Sequence, residues 1–367
     1  MINTLFHFYS PVKAHFGTGS KTLLPELLKN YERIGIISGR TSLDTTGMRS
    51  FLKKELHDKK LSFFCEIEPN PSINTVVQGG DFVIDQNCQA IVAVGGGSAL
   101  DAGKAIAALG TNRANFHHLI DQNIFPEQPL PVVAIPTTCG TGSEMNHYAI
   151  ITDTAHKDKL NFSAENTFPH HALLDPDLLR SLSKNLVLAT ACDALTHALE
   201  GFISKRANPF SDTLALDAMD RIITTLVSDT SPTSDKALTS FLYAAALAGT
   251  VILHTGTTLL HSMGYYLTNH KDIHHGTANI ILLPYFLKML ANHNVAKYDH
   301  IATLIDRHNL QIDAIISELG HTSSLHEIVP GDELETMVAY AISKKNALST
   351  PFPMDKEDVL NVLSRPI

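Results

Sequence analysis

The sequence predicts an α/β half built on a mostly parallel sheet, followed by an all-α half. Three observations predict it. With 367 residues the chain exceeds what one hydrophobic core usually serves, so two domains are expected. In the first half, short apolar runs rich in Val and Ile alternate with helical segments, the pattern of βαβ units. After ALLDPDLLRSLS (172–183) the apolar residues recur at helical spacing instead. The expected domains are 1–177 and 178–367.

RIGIIS (33–38) is nearly continuous in apolar residues, as a strand covered on both faces must be. MRSFLKKEL (48–56) has one apolar helical face, and LSFFCEI (61–67) is a second strand that ends in the turn EPNPS (68–72). NTVVQGGDFVIDQN (74–87) has helical spacing, weakened by its internal glycines. QAIVAV (89–94) is a strand running into GGGS, and PVVAIP (131–136) is one running into TTCGTGSE. Both glycine-rich loops therefore fall at the carboxyl ends of parallel strands, where ligands bind in such sheets. In the second half LVLATACDALTHALEGFIS, DTLALDAMDRIITTLVS, TSFLYAAALAGTVIL and ANIILLPYFLKMLANHN read as helices, with the polar run DTSPTSDK (229–236) a loop between two of them.

Composition excludes several functions. Apolar residues make up 44% and charged residues 18%, too much buried surface for a disordered chain. The net charge of −9 argues against nucleic acid or an anionic membrane as the main partner. Ala237 to His270 holds no Asp, Glu, Lys or Arg, but its histidines, threonines and glycines make it a poor membrane span and a better buried helix or helix pair. The four scattered cysteines form no CxxC pair, and the N-terminus has no signal-peptide pattern, so a cytoplasmic protein is expected.

The first glycine loop, Gly95-Gly96-Gly97-Ser98, joins a strand to the helix ALDAGKAIAAL. Its amides and the helix N-terminus suit a phosphate, although a plain strand-to-helix turn accounts for part of the pattern. It is neither GxGxxG, since Leu100 stands at the third glycine, nor GxxxxGKS. Ser98 and Asp101 have the spacing of a capping box with Asp in place of Glu. In the second loop, Thr137, Thr138 and Ser143 offer hydroxyls among glycine amides, either to a ribose, pyrophosphate or carboxamide or to a helix cap. Asp193 and His197 lie at i and i+4, on one helical face about 6 Å apart at Cβ. They suit either one metal ion or a buried hydrogen-bonded pair. His261 sits in the charge-free region and His275 just beyond it. One carboxylate and three imidazoles suit Fe²⁺ or Zn²⁺ better than Mg²⁺ or Ca²⁺.

GGGSALDAGKAIA, PTTCGTGSE, LLDPDLL, DALTHALEGFISKRANPFSD and HHGTANIILLP resemble the iron-containing (group III) alcohol dehydrogenases, in the dehydroquinate-synthase-like superfamily. The resemblance runs from FGTGS (16–20) to MDKEDVLNVL (354–363). It implies a Rossmann-like N-terminal domain, a helical metal-binding C-terminal domain and an active site in the cleft between them. The family's metal ligands fall on Asp193, His197, His261 and His275. The implied cofactors are NAD(P)(H) and a divalent ion, Fe²⁺ or Zn²⁺. The implied partner is a small alcohol or aldehyde, with a homodimer left open.

Two departures stand out. The family commonly has His where this chain has Tyr265, and Pro before the fourth ligand where this chain has His274. The first puts Tyr265 where the family has a histidine that relays the proton, so Tyr265 either donates a proton or simply packs in the cleft while water carries it; the second leaves His274 as a rival to His275. By the same resemblance the dinucleotide lies along Gly95, Gly96, Gly97 and Ser98, and along Thr137, Thr138 and Ser143, with Lys159 near its nicotinamide end. Lys159 has a solvated surface charge as its alternative reading. The ribose faces Ser38-Gly39-Arg40, where many members have an Asp that repels a 2′-phosphate, so NADP(H) is expected to be accepted at least as well as NAD(H). The alternatives are a phosphonoacetaldehyde-type reductase, a metal-free maleylacetate reductase, a sugar-phosphate cyclase and an inactive ligand sensor. The intact Asp–His–His–His set disfavours the metal-free reductase and the sensor, and GFISKRANPFSD disfavours the cyclase.

Overall fold

The computed structural model describes residues 5–112, 125, 127–156, 158–228, 230–322 and 324–365. Its strands are β1 (Lys13–Phe16), β2 (Arg33–Gly39), β3 (Lys60–Ile67), β4 (Ala90–Gly95), β5 (Val132–Pro136), β6 (Ala149–Asp153), β7 (Asp158–Phe162) and β8 (His171–Leu174). The longer helices of the first half are α1 (Met48–Glu55), α2 (Ile73–Asp85) and α3 (Gly97–Leu109). Then come α4 (Lys184–Ile203), α5 (Pro209–Leu226), α6 (Asp235–Thr255), α7 (Leu259–Lys271) and α8 (His275–Asn292), followed by shorter helices to Leu363.

Contacts divide the chain into two compact units. One is Tyr9–Thr138 with Gly142–Leu182; the other is Ser183–Ile367 with Cys139–Thr141 and the N-terminal residues up to Phe8. In the first unit six strands pair in the order β1-β8-β5-β4-β2-β3, every pair parallel. β4 and β5 are buried along their whole length, which explains their unbroken apolar sequences. A separate antiparallel hairpin, β6–β7, packs near α3. The glycines that weaken α2 as a helix, Gly79 and Gly80, lie against Ile106 and Leu109 of α3. Asp175, in LLDPDLL, is fully buried; it accepts hydrogen bonds from the Gly19 and Lys21 amides and caps the following turn through the Asp177 amide.

The second unit is helical, with α4 at its centre, packed against α5, α6 and α8. Among the described residues, two helices are long and apolar enough to cross a membrane, α4 and α6, but 94% and 72% of their apolar windows are buried against the rest of the protein. The charge-free stretch is thus a helix pair, α6 and α7, broken at Gly256. The polar run 229–236 is a loop only as far as Ser234, whose hydroxyl caps α6, and its last two residues, Asp235 and Lys236, already belong to that helix; Asp229 lies outside the described residues.

Candidate active site

The backbone of the first glycine loop has a conformation few other residues could take. Gly95 sits at φ 151°, and a Cβ there would stand 2.6 Å from the Cβ of Ala99. α3 begins immediately beyond, so its free amides open at the carboxyl end of β4, next to the carboxyl end of β5. The expected capping box does not form. The N-cap is Gly96 and no side chain caps the helix. Ser98 instead accepts a hydrogen bond from the Asn70 amide at 3.1 Å. Asp101 turns away to accept from the Ser143 hydroxyl and, at 2.8 Å, from the Ile150 amide. A stronger competitor takes the carboxylate: Lys104, fully buried on the same helix, lies 3.2 Å from it. The Lys104 ammonium also donates to the Ser143 hydroxyl (2.7 Å), the Ser143 carbonyl (2.9 Å), and the Asn146 and Tyr148 carbonyls. One buried cation thereby ties the second glycine loop to the helix of the first.

Thr138 packs its side chain against Gly96, and Thr137 is buried beside β4. Gly39 closes β2 in register with Ile67. Lys159 is not a solvated surface charge. Its ammonium donates to Asn70 Oδ1 at 2.8 Å and to Thr152 Oγ1 at 2.9 Å, and burial pushes it down to about 8. Asn70 is the residue whose amide reaches Ser98, so Lys159 stands one side chain away from the glycine loop.

In the helical unit, donor atoms of Asp193, His261 and His275 all lie within 4.8 Å of one another. Asp193 Oδ1 is 3.7 Å from His261 Nε2 and 3.8 Å from His275 Nε2. Ligands about 2.1 Å from a tetrahedral ion stand about 3.4 Å apart, and each of these two pairs is within about 0.4 Å of that spacing. His197 stands outside that group of three; its buried Nδ1 has no hydrogen-bond partner among the described residues and lies 3.9 Å from Asp193 Oδ2, while its ring stacks on His261 with centroids 4.4 Å apart. An orphaned imidazole nitrogen facing a carboxylate is what a bound cation would satisfy, and the donor set fits a divalent transition ion. His275, at the start of α8, brings its Nε2 to 3.8 Å from Asp193 Oδ1, whereas His274 is the N-cap residue and is not among the three clustered donors. Tyr265 stacks on His275, centroids 5.2 Å apart and planes 12° from parallel, and its hydroxyl hydrogen-bonds with the Asn346 side chain.

Residues 11–176 match the iron-containing alcohol dehydrogenase family, and residues 187–367 match its C-terminal part, described as "Fe-containing alcohol dehydrogenase family, C-terminal". The chain belongs to the iron-containing alcohol dehydrogenase family. Alcohol dehydrogenase 4 of Saccharomyces cerevisiae is 29% identical over 98% of this chain and 97% of its own. The NAD-dependent methanol dehydrogenase of Bacillus methanolicus is 31% identical, covering 82% of this chain and 80% of its own. The crystal structure of an iron-containing alcohol dehydrogenase from Thermotoga maritima superposes with a TM-score of 0.85 at 33% identity, covering 98% of both chains.

This iron-containing alcohol dehydrogenase is thus an oxidoreductase acting on alcohol and aldehyde groups. Electrostatics shape the cluster of Asp193 and the three imidazoles. Burial pushes His197 down to about 4 and also lowers His275, so both rings are neutral near pH 7 with lone pairs available. Burial would raise Asp193, but the surrounding imidazoles hold it well below the usual carboxylate range. Burial would lower His261, yet Glu200 and Asp193 lift it to about 9. Two members of the cluster escaped the sequence reading. Glu200, fully buried on α4, accepts from the His261 side chain. The Asn279 amide nitrogen of α8 donates to Asp193 Oδ1 at 3.2 Å and lies 3.2 and 3.4 Å from the Nε2 atoms of His261 and His275. Glu200 did carry a signal: it follows Asp193 by seven residues, on the same helical face.

Proposed function

We propose that the enzyme interconverts a small primary alcohol and its aldehyde with NADP(H) or NAD(H), running best toward carbonyl reduction near neutral pH. The observation that carries this reading is the convergence of Asp193, His261 and His275 donor atoms beside the orphaned nitrogen of His197. When bound there, a divalent ion supplies Lewis acidity that polarises the substrate oxygen. The remaining work falls to the chain's own residues. The Gly95–Gly97 amides and the start of α3 bind the pyrophosphate, and Thr137, Thr138 and Ser143 line the second loop. Lys159 adds positive charge beside them. Residues 1–177 take the dinucleotide and 178–367 the metal. A dinucleotide held there would supply the hydride chemistry at the carbinol carbon. Assaying a panel of aldehydes and alcohols with Fe²⁺ or Zn²⁺ tests the substrate class; turnover confined to sugar phosphates without redox change in the cofactor would overturn it.

The carboxyl end of β2 supports acceptance of NADP(H). Gly39 offers no carboxylate there, Arg40 lies 3.5 Å from Glu66, and the next acid along the chain, Asp44, is engaged by Arg49 at 2.7 Å. Comparable kcat/KM for the two cofactors, or a preference for NADP(H), is the expected result. A hundredfold preference for NAD(H) would contradict it.

Tyr265 supports the direction. A phenol titrates near ~10 in water, and burial with Glu200 and Asp193 nearby raises Tyr265 further, so its hydroxyl remains a proton donor. Reduction needs a donor for the nascent alkoxide, whereas oxidation needs an acceptor. Tyr265→Phe removes only the hydroxyl and is expected to slow reduction about tenfold or more and to change its pH profile. An unchanged rate and profile would show that the ring merely packs on His275. The proposed partners are a small alcohol or aldehyde and a second copy of the chain, the latter on the exposure of Leu5 and Phe210. A cytoplasmic location is supported by four cysteines that all remain free.

A further inference from the structure

Glu200 is an expensive residue to bury. Its side chain is fully enclosed, and desolvating a carboxylate costs several kcal/mol unless every lone pair finds a donor. The donors come from one short segment. Oε1 accepts from the Thr258 amide at 2.8 Å, the Thr258 hydroxyl and the His261 amide at 3.2 Å; Oε2 accepts from His261 Nδ1. The two oxygens therefore have different duties. Oε1 caps α7, whose own N-cap residue, Thr258, makes no side-chain cap. Oε2 is committed to the imidazole.

We propose that Glu200 is a positioning residue that fixes the tautomer and orientation of His261 for the metal. A carboxylate can only accept, so in the neutral ring the proton belongs on Nδ1 and the lone pair on Nε2. Nε2 is the atom that faces Asp193 Oδ1 at 3.7 Å. A metal needs that lone pair, and partners of this kind typically change metal affinity by about 10–100-fold when removed. The geometry follows from α4. Asp193, His197 and Glu200 lie at i, i+4 and i+7, so one helical face presents two candidate ligands and the support for a third.

The proposal rests on the metal reading of Asp193, His197, His261 and His275, and the two fail differently. Glu200→Gln keeps the shape, and its amide oxygen can still cap α7. Its NH₂, however, faces Nδ1 as a donor and favours the proton on Nε2, the wrong atom. The full-length enzyme, stripped by dialysis against a chelator, is titrated with Zn²⁺ in competition with a chromogenic chelator. The metal-free form is followed by ¹⁵N-histidine NMR at alkaline pH, where the His261 ring is neutral and its tautomer can be read. The expected result is a Zn²⁺ Kd raised about 10–100-fold, with His261 shifted toward the Nε2–H tautomer. A wild-type Kd in the folded variant overturns the proposal. So does a weakened Kd with the His261 tautomer unchanged, which would leave Glu200 a helix cap alone. If the Gln variant does not fold, Glu200→Asp decides by the same two readouts, because its shorter side chain cannot serve both Thr258 and Nδ1. Wild-type Zn²⁺ affinity in His261→Ala would overturn the metal reading itself.

Discussion

Replacing His261 by alanine is expected to abolish tight metal binding and to lower kcat/KM by about 10³–10⁴-fold. A Lewis-acid ion contributes several kcal/mol to stabilising charge at the reacting oxygen, and each ~1.4 kcal/mol is tenfold in rate. His261 is the most deeply buried of the candidate ligands, and it meets both Asp193 and Glu200. Its loss also strands the Glu200 carboxylate, so stability is expected to fall by about 3 kcal/mol. Metal content by elemental analysis, read beside near-ultraviolet circular dichroism, separates loss of the site from loss of the fold. Full metal occupancy in a folded His261→Ala protein would refute the ligand assignment.

Substituting Gly276 by alanine is expected to cost about 1–3 kcal/mol of stability, the range for overpacking a filled interior, and to reduce metal affinity as well. A Cβ on Gly276 would be driven into the Ala189 carbonyl of α4 and would stand 3.0 Å from Asp193 Cβ. Backbone cannot yield as a flexible side chain can, so the first turn of α8 must move away from α4. That turn carries His275, and the helix it is pushed from carries Asp193. Thermal unfolding of the metal-free and Zn²⁺-loaded forms checks this. A Tm and a Zn²⁺-induced stabilisation both equal to wild type would show that the crossing tolerates a side chain.

Much of this architecture was legible in the order of residues because it depends on periodicity. The strands of the first unit announced themselves as apolar runs ending in glycine loops, since a strand covered on both faces needs apolar residues at every position. Asp193 and His197 could be paired at sight because four residues return to the same face of a helix. The glycine-loop capping box failed for the opposite reason. Spacing offered Asp101 a local partner, but Lys104 and Ser143, buried beside it, offered stronger ones.

The sequence by itself determined which side chains can do chemistry here, the helical face that pairs Asp193 with His197, and the loops whose amides can take an anion. Tertiary structure decided the rest. It set the His275 ring 3.8 Å from Asp193, gave His261 its partner Glu200 from 61 residues away, and brought Asn279 to Asp193 across 86. It also turned Lys159 from a candidate surface charge into a half-buried ammonium beside Asn70. Local spacing sets which residues share a helical face. Which ring nitrogen meets which carboxylate is set by how α4, α7 and α8 pack, and that depends on the volume of every side chain between them.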